Sequence, residues 1–222
     1  MKPWVTLDSC DVPGGSGKME LLQRDQEMLI RVDGHALMST RMHGSEEALA
    51  NLAFDARAGA GGRILVGGLG MGFTAAAALN RCREDDRVVV AELVPSIVEW
   101  NRGALGEAAG RPLDDARVEV HIGDVTTLIR GRENDWDLIL LDVDNGPNGL
   151  SAASNGWLYS KGGLSAARRA LSPGGVFAVW SAHPDDRFTE RLKRSGLKVD
   201  VREARAHGRR GSRHIIWLGR KA

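Results

Sequence analysis

Residues Arg63-Ile64-Leu65-Val66-Gly67-Gly68-Leu69-Gly70-Met71-Gly72-Phe73-Thr74 carry an apolar run into three alternating glycines and on into a stretch of alanines. That pattern predicts a strand turning into a helix. In an open α/β sheet such a turn lies at the carboxyl edge of the strands, where missing side chains let a ligand reach the backbone and the helix amino terminus. The next apolar run, RVVVAEL, contains Glu92, about twenty residues beyond the turn, where an acid accepts hydrogen bonds from ribose hydroxyls. The alternating spacing differs from the Gly-x-Gly-x-x-Gly turn that wraps a pyrophosphate, so an S-adenosyl nucleoside is expected here in preference to NAD. Glycines that merely allow tight strand–helix packing would look alike, but the acid in register argues for a ligand.

The alternation continues on both sides. RVEVHIG, WDLILLD and GVFAVWS read as further buried parallel strands, with helices expected over Thr74 to Arg81, Pro95 to Arg102 and Gly163 to Leu171. This order predicts a doubly wound, Rossmann-like α/β sheet. LKVDVREA and RHIIWLGRK, joined by a basic loop, predict a closing antiparallel hairpin. Upstream, the polar and Gly/Pro-containing residues 1–17 predict a loose lead-in. Short alternations from Met19 to Thr40, broken at Asp33-Gly34, predict a small antiparallel β unit. Ser45 to Arg57 reads as an amphipathic helix capped at its serine. The expected organisation is a lead-in and β unit over residues 1–44, then a Rossmann-like nucleoside-binding catalytic domain over 45–222.

With 30 basic and 29 acidic residues among 222, the formal charge is +1. A dedicated nucleic-acid binder would show a global basic field, which this chain lacks. Cys10 and Cys82 have no metal-ligand spacing and suggest neither a disulfide framework nor a zinc site. The segment MKPWVTLDSC has no signal-peptide apolar run, and no later stretch approaches the ~20 apolar residues of a bilayer span. A cytoplasmic protein without a membrane partner and without a metal is expected.

Three further acids stand at strand ends. Asp124, in HIGDV, is placed to meet an adenine amino group or to cap the adjoining TTLIR segment. Asp142 and Asp144 close WDLILLDVDNGP. A carboxylate emerging from so apolar a strand is costly unless solvated or paired, which marks Asp142 as a functional candidate. Asp144, just before Asn145-Gly146-Pro147, also suits a turn.

Taken together, these segments resemble the spermidine-synthase-like aminopropyltransferases, a family within the class I S-adenosylmethionine-dependent methyltransferase fold. The resemblance runs from about Met19 to Ser181. EEALANLAF resembles the family's segment after its Tyr-(His or Gln)-Glu signature and places Glu47 on the signature Glu. ILVGGLGMG resembles its Gly-Gly-Gly-Asp-Gly turn, VAELVPSIVEWNR its ribose-acid strand and helix, and IGDV its adenine-side motif. WDLILLDVDNGP resembles the strand entering its Asp-Ser-Ser-Asp-Pro loop, and LYSKGGLSAARRALSPGGVFAVW the helix and strand after that loop.

The resemblance implies that Asp142 is the catalytic acid, positioning or deprotonating an amine that attacks the sulfonium-bound carbon, with Asp144 beside it. The cofactor, S-adenosylmethionine or its decarboxylated form, would contact Gly68, Gly70, Met71, Gly72, Glu92, Asp124 and Asp142. For the small amine-bearing acceptor the candidates are Glu46, Asn145, Trp157 and Tyr159, the two aromatics as a pocket wall. A homodimer is implied as well. Three positions depart from the family. Its signature Tyr is Ser45, the Asp of its glycine turn is Met71, and the second Asp of its acidic loop is Asn145. Loss of negative charge at Met71 removes a partner for an aminopropyl ammonium. That tilts the expectation slightly towards methyl transfer from S-adenosylmethionine, with aminopropyl transfer in polyamine synthesis as the alternative. Two other readings compete. Arg202, Arg205, Arg209, Arg210 and Arg213, with His207 and His214, would suit RNA phosphates in an RNA methyltransferase. A non-catalytic nucleoside-binding member would also lose signature residues.

Overall fold

Val88, Val89, Val90 and Ala91 are all buried, as a strand covered by helices on both faces requires. They belong to β6 (Arg87–Glu92) of a seven-stranded sheet. The computed structural model describes residues 2–12, 17–59, 62–143, 155–207 and 210–222. The other strands are β5 (Arg63–Gly67), β7 (Val118–Ile122), β8 (Trp136–Leu141), β9 (Leu171–Ser181), β10 (Lys198–His207) and β11 (Arg210–Arg220), in the order β10-β11-β9-β8-β5-β6-β7. Strands β5 to β9 run parallel, whereas β11 is antiparallel to both β9 and β10. The chain leaves β5 towards β6 and returns on its other side as β8. The switch point of this doubly wound sheet therefore lies between β5 and β8, at the glycine turn.

Side-chain alternation divides the interior in two. Ile64, Val66, Val88, Val90, Leu138 and Leu140 face one way, where α1 (Gly44–Ala56), α2 (Phe73–Leu79) and α3 (Pro95–Arg102) bury Leu49, Ala78 and Val98 against them. Leu65, Val89, Ile139 and Leu141 face the other way. There α4 (Thr126–Ile129), α6 (Lys161–Ala170) and α7 (Asp186–Arg194) bury Ile129, Leu164 and Phe188. A single-turn helix, α5 (Asn155–Leu158), precedes α6.

Ahead of α1 stands a four-stranded antiparallel sheet in sequential order, β1 (Val5–Asp11), β2 (Lys18–Arg24), β3 (Glu27–Val32) and β4 (His35–Ser39). The β3–β4 turn falls at Asp33-Gly34, both with positive φ, as expected. The loose lead-in is corrected: residues 5–11 pair with β2, and Asp8 accepts from the Trp100 indole N–H at 2.7 Å, tying β1 to α3. Cross-strand bonds outweigh the polar composition. The serine cap of α1 is also corrected. His43 is the N-cap residue, and Ser45 lies inside the helix, fully buried. Helix α6 starts at Lys161, two residues before the expected position, because Ser160 accepts the Gly163 N–H and caps it. Helix α7, capped by Asp185 through the Phe188 N–H, joins β9 to the hairpin, a connection that the apolar-run pattern does not signal.

Candidate active site

The glycine turn is held from three sides. Gly68 donates its N–H to the Ala91 carbonyl of β6, Asp142 donates to Gly67 from β8, and the buried Asn101 of α3 donates its Nδ2 to the Gly70 carbonyl. Gly68, Gly70 and Gly72 have φ of 88°, 52° and 86°, values that side-chain-bearing residues rarely adopt. A Cβ at Gly68 would strike the Asp142 carbonyl, and one at Gly70 would sit 3.2 Å from Sδ of Met38, reaching over from β4. The turn is a cradle that only glycines fit.

Glu92 closes one side of it. Its Oε2 accepts the Leu69 N–H and its Oε1 the Val94 N–H, both at 2.8 Å. Burial pushes this carboxyl upward, and the N–H groups of Val94, Leu69, Gly70 and Leu93 pull the other way. An acid at the end of the strand after the cradle is placed to meet ribose hydroxyls. Cradle and acid together fit an adenosyl ligand. Asp124, after β7, accepts the Thr126 N–H at 2.8 Å, so its carboxylate serves the turn into α4. Met71 is buried in the first core.

Asp142 comes directly after β8 on the face shared with α1 and α2. Oγ1 of Thr74, in the first turn of α2, donates to its Oδ2 at 2.6 Å and lies 3.3 Å from the Glu46 carbonyl oxygen. Burial drives the Asp142 carboxyl up to about 7, the neighbouring Glu46 adds to that rise, and Thr74 opposes it. Glu46 is itself pushed up, chiefly by burial, against the Ser45 hydroxyl that donates to its Oε2 at 2.5 Å. Two carboxylates thus share a site where full ionisation of both is disfavoured.

Of the acceptor candidates, Glu46 joins Asp142, while Glu47, on the family's signature Glu, bonds His43 Nδ1 instead, at 2.9 Å. His43 stacks on Phe73. Trp157 lies beneath the Arg130 guanidinium, 4.0 Å from its ring centre. Tyr159 is buried edge-on against Phe188 in the second core. Trp157 and Tyr159, expected as a pocket wall, pack with the second core, on the side of the sheet opposite the face that Asp142 shares with α1 and α2. Asp144 and Asn145 lie outside the described residues. In the hairpin, Arg202 bonds Asp200 at 2.7 Å and Arg213 lies 3.6 Å from Glu203; Arg209 and the Arg210 side chain are likewise outside the description. Thr74 and Asn101 shape the site although their sequence context marks neither as functional; Ser45, at the signature-tyrosine position, shapes it too, and His214 joins them from the far end of the chain. Both cysteines are free, and among the described residues no cluster of His, Cys, Asp and Glu could hold a metal and no helix is long and apolar enough to cross a membrane.

A switch-point glycine cradle with an acid at the end of the next strand defines a class I methyltransferase-like, nucleoside-binding fold. Solved structures that share it include two spermidine synthases. The spermidine synthase from Thermotoga maritima superposes with a TM-score of 0.78 at 17% identity, covering 98% of this chain and 73% of that one. A spermidine synthase in complex with the transition-state analogue AdoDATO gives 0.77 at 17% identity, covering 98% and 72%. The Spermine/spermidine synthase domain model matches residues 43–192, and the chain belongs to that family.

Curated relatives include polyamine aminopropyltransferases of Nitrosomonas europaea, 35% identical over 45% of this chain and 29% of that protein, and of Bacillus mycoides, 32% identical over 53% and 39%. The enzyme of the same name from Mycobacterium tuberculosis is 28% identical over 73% of this chain and 30% of its own. The matches thus span between 29% and 39% of the relatives' length.

Proposed function

We propose that this chain transfers an aminopropyl group from decarboxylated S-adenosylmethionine to an amine-bearing acceptor. The observation that carries the reading is the Asp142–Glu46 pair, two partly buried carboxylates gathered beside the glycine cradle. Such a pair favours a cationic amine and disfavours a second anion, including the carboxylate of intact S-adenosylmethionine. The leaning towards methyl transfer weighs the charge lost at Met71 but not the charge that Glu46 brings to Asp142. The relatives' shared name also favours the aminopropyl alternative.

Glu92 and the backbone of Gly68 to Gly72 would hold the donor's ribose and nucleoside end. The donor supplies a sulfonium, already a good leaving group. Asp142, ionised, takes a proton from the acceptor's ammonium and aims the freed nitrogen lone pair at the propyl carbon. As the carbon–nitrogen bond forms, the carbon–sulfur pair returns to sulfur, leaving a neutral thioether and a substituted ammonium. Thr74 fixes the Asp142 carboxylate in that direction.

Calorimetric titration with the decarboxylated and intact donors, and then turnover with a diamine, tests this reading. Preference for the decarboxylated donor is expected, with activity rising as pH passes through about 7, where Asp142 loses its proton. Asp142→Asn should cut turnover by roughly 10²–10⁴-fold with donor affinity little changed. Preference for the intact donor would return the reading to methyl transfer.

A further inference from the structure

His214 reaches in from β11 to the start of α1, its Nδ1 2.7 Å from Oγ of Ser45 across 169 residues of sequence. Ser45 is fully buried, and its hydroxyl lies 2.5 Å from Oε2 of Glu46. A hydroxyl has one proton to give. Spent on Glu46, it leaves Ser45 Oγ as an acceptor, so His214 must present Nδ1–H. With the proton on Nε2 alone, the hydroxyl would turn towards the imidazole and Glu46 would lose its donor. The ring is held in place by Trp180, whose indole centre lies 4.8 Å away.

We propose that His214 is a positioning residue for the acceptor site: by directing the Ser45 hydroxyl, it keeps Glu46 ionised and aimed as a second anchor for the acceptor's cationic end. This rests on the aminopropyl-transfer reading for its consequence, though not for its geometry. The serine stands where the resemblance puts the family's signature tyrosine, so the Ser45–His214 pair is this chain's own means of completing the site. The groups that bear on Glu46 are His43 and Glu47 of α1 and Asp142 after β8; His183, beyond β9, bears on His214. Burial and His183 both press His214 towards its neutral form, which retains one ring proton and is fit to donate it at Nδ1.

The test uses the full chain in three variants, His214→Leu, His214→Gln and Ser45→Ala. Carbon-13 NMR of glutamate-labelled protein, with the Glu46 signal identified by its loss in Glu46→Gln, tracks the titration of Glu46 without any need for turnover. Losing the donor should move the Glu46 midpoint upward in His214→Leu and in Ser45→Ala. His214→Gln, which keeps an N–H, should restore it. In the diamine assay the acceptor KM should rise about 10-fold or more in the first two variants, with donor KM within about twofold of the parent. The double variant His214→Leu/Ser45→Ala should be no worse than either single change. An unmoved Glu46 midpoint in both His214→Leu and Ser45→Ala would overturn the proposal. A moved midpoint in a protein that binds neither donor would uphold the relay and reject the aminopropyl reading.

Discussion

At Asp142 one hydroxyl, from Thr74, stands in for water, and a second acid, Glu46, opposes ionisation. The folded state therefore holds a proton that the unfolded chain releases near the ordinary carboxylate value. Between about pH 4 and 7 the native state binds more protons than the unfolded state, so stability falls as pH rises, by at most about 1.4 kcal/mol per pH unit. Asp142→Asn should flatten that slope in urea titrations across the interval, and an unchanged slope would show that Asp142 titrates normally. The acid could be found in the sequence because a carboxylate after Leu138 to Leu141 has no business in a core. Glu92 was legible for the same reason, together with its distance from the glycines. Thr74 and the Ser45–His214 contact were not, since hydroxyl residues near helix starts read first as caps, and nothing local links Ser45 to an imidazole 169 positions away.

Among the elements, apolar continuity made β5, β6 and β8 plain, and alternation revealed β2 to β4. The first strand was hidden because VTLDSCD exposes most of its residues and depends on pairing for its form. Helix α7 is easily passed over in DDRFTERLKRSG although its signals are present: an Asp cap and an apolar pair, Phe188 and Leu192, four residues apart. Its anchoring is aromatic. Phe188, fully buried, meets Trp217 of β11 at 5.0 Å and Tyr159 at 5.5 Å, both edge-on. Phe188→Ala should cost about 3–5 kcal/mol in urea unfolding. A loss below about 1 kcal/mol would mean that α7 is not fastened through this ring.

For the whole molecule, family resemblance implies a homodimer, and exposed apolar side chains stand on both edge strands of the first sheet. Val5, Leu7 and Leu37 of the first sheet are 57%, 41% and 43% exposed, and pairing there would remove apolar area from water. Sedimentation equilibrium should return twice the 24.0 kDa chain mass, with Leu7→Asp shifting it towards the single chain. A single-chain mass for the parent protein at micromolar concentration would reject the pairing. The fold class could be read from sequence because β–α alternation is a repeating signal; the packing of the first sheet over the glycine turn could not, since it joins Met38 to Gly70 through shape alone. The span matched by the family model, 43–192, contains Glu92 and Asp142 but neither the thioether that roofs the turn nor the imidazole behind Ser45. The roof of the turn and the imidazole behind Ser45 therefore come from opposite ends of the chain, and removing either end would open the site while leaving Glu92 and Asp142 in place.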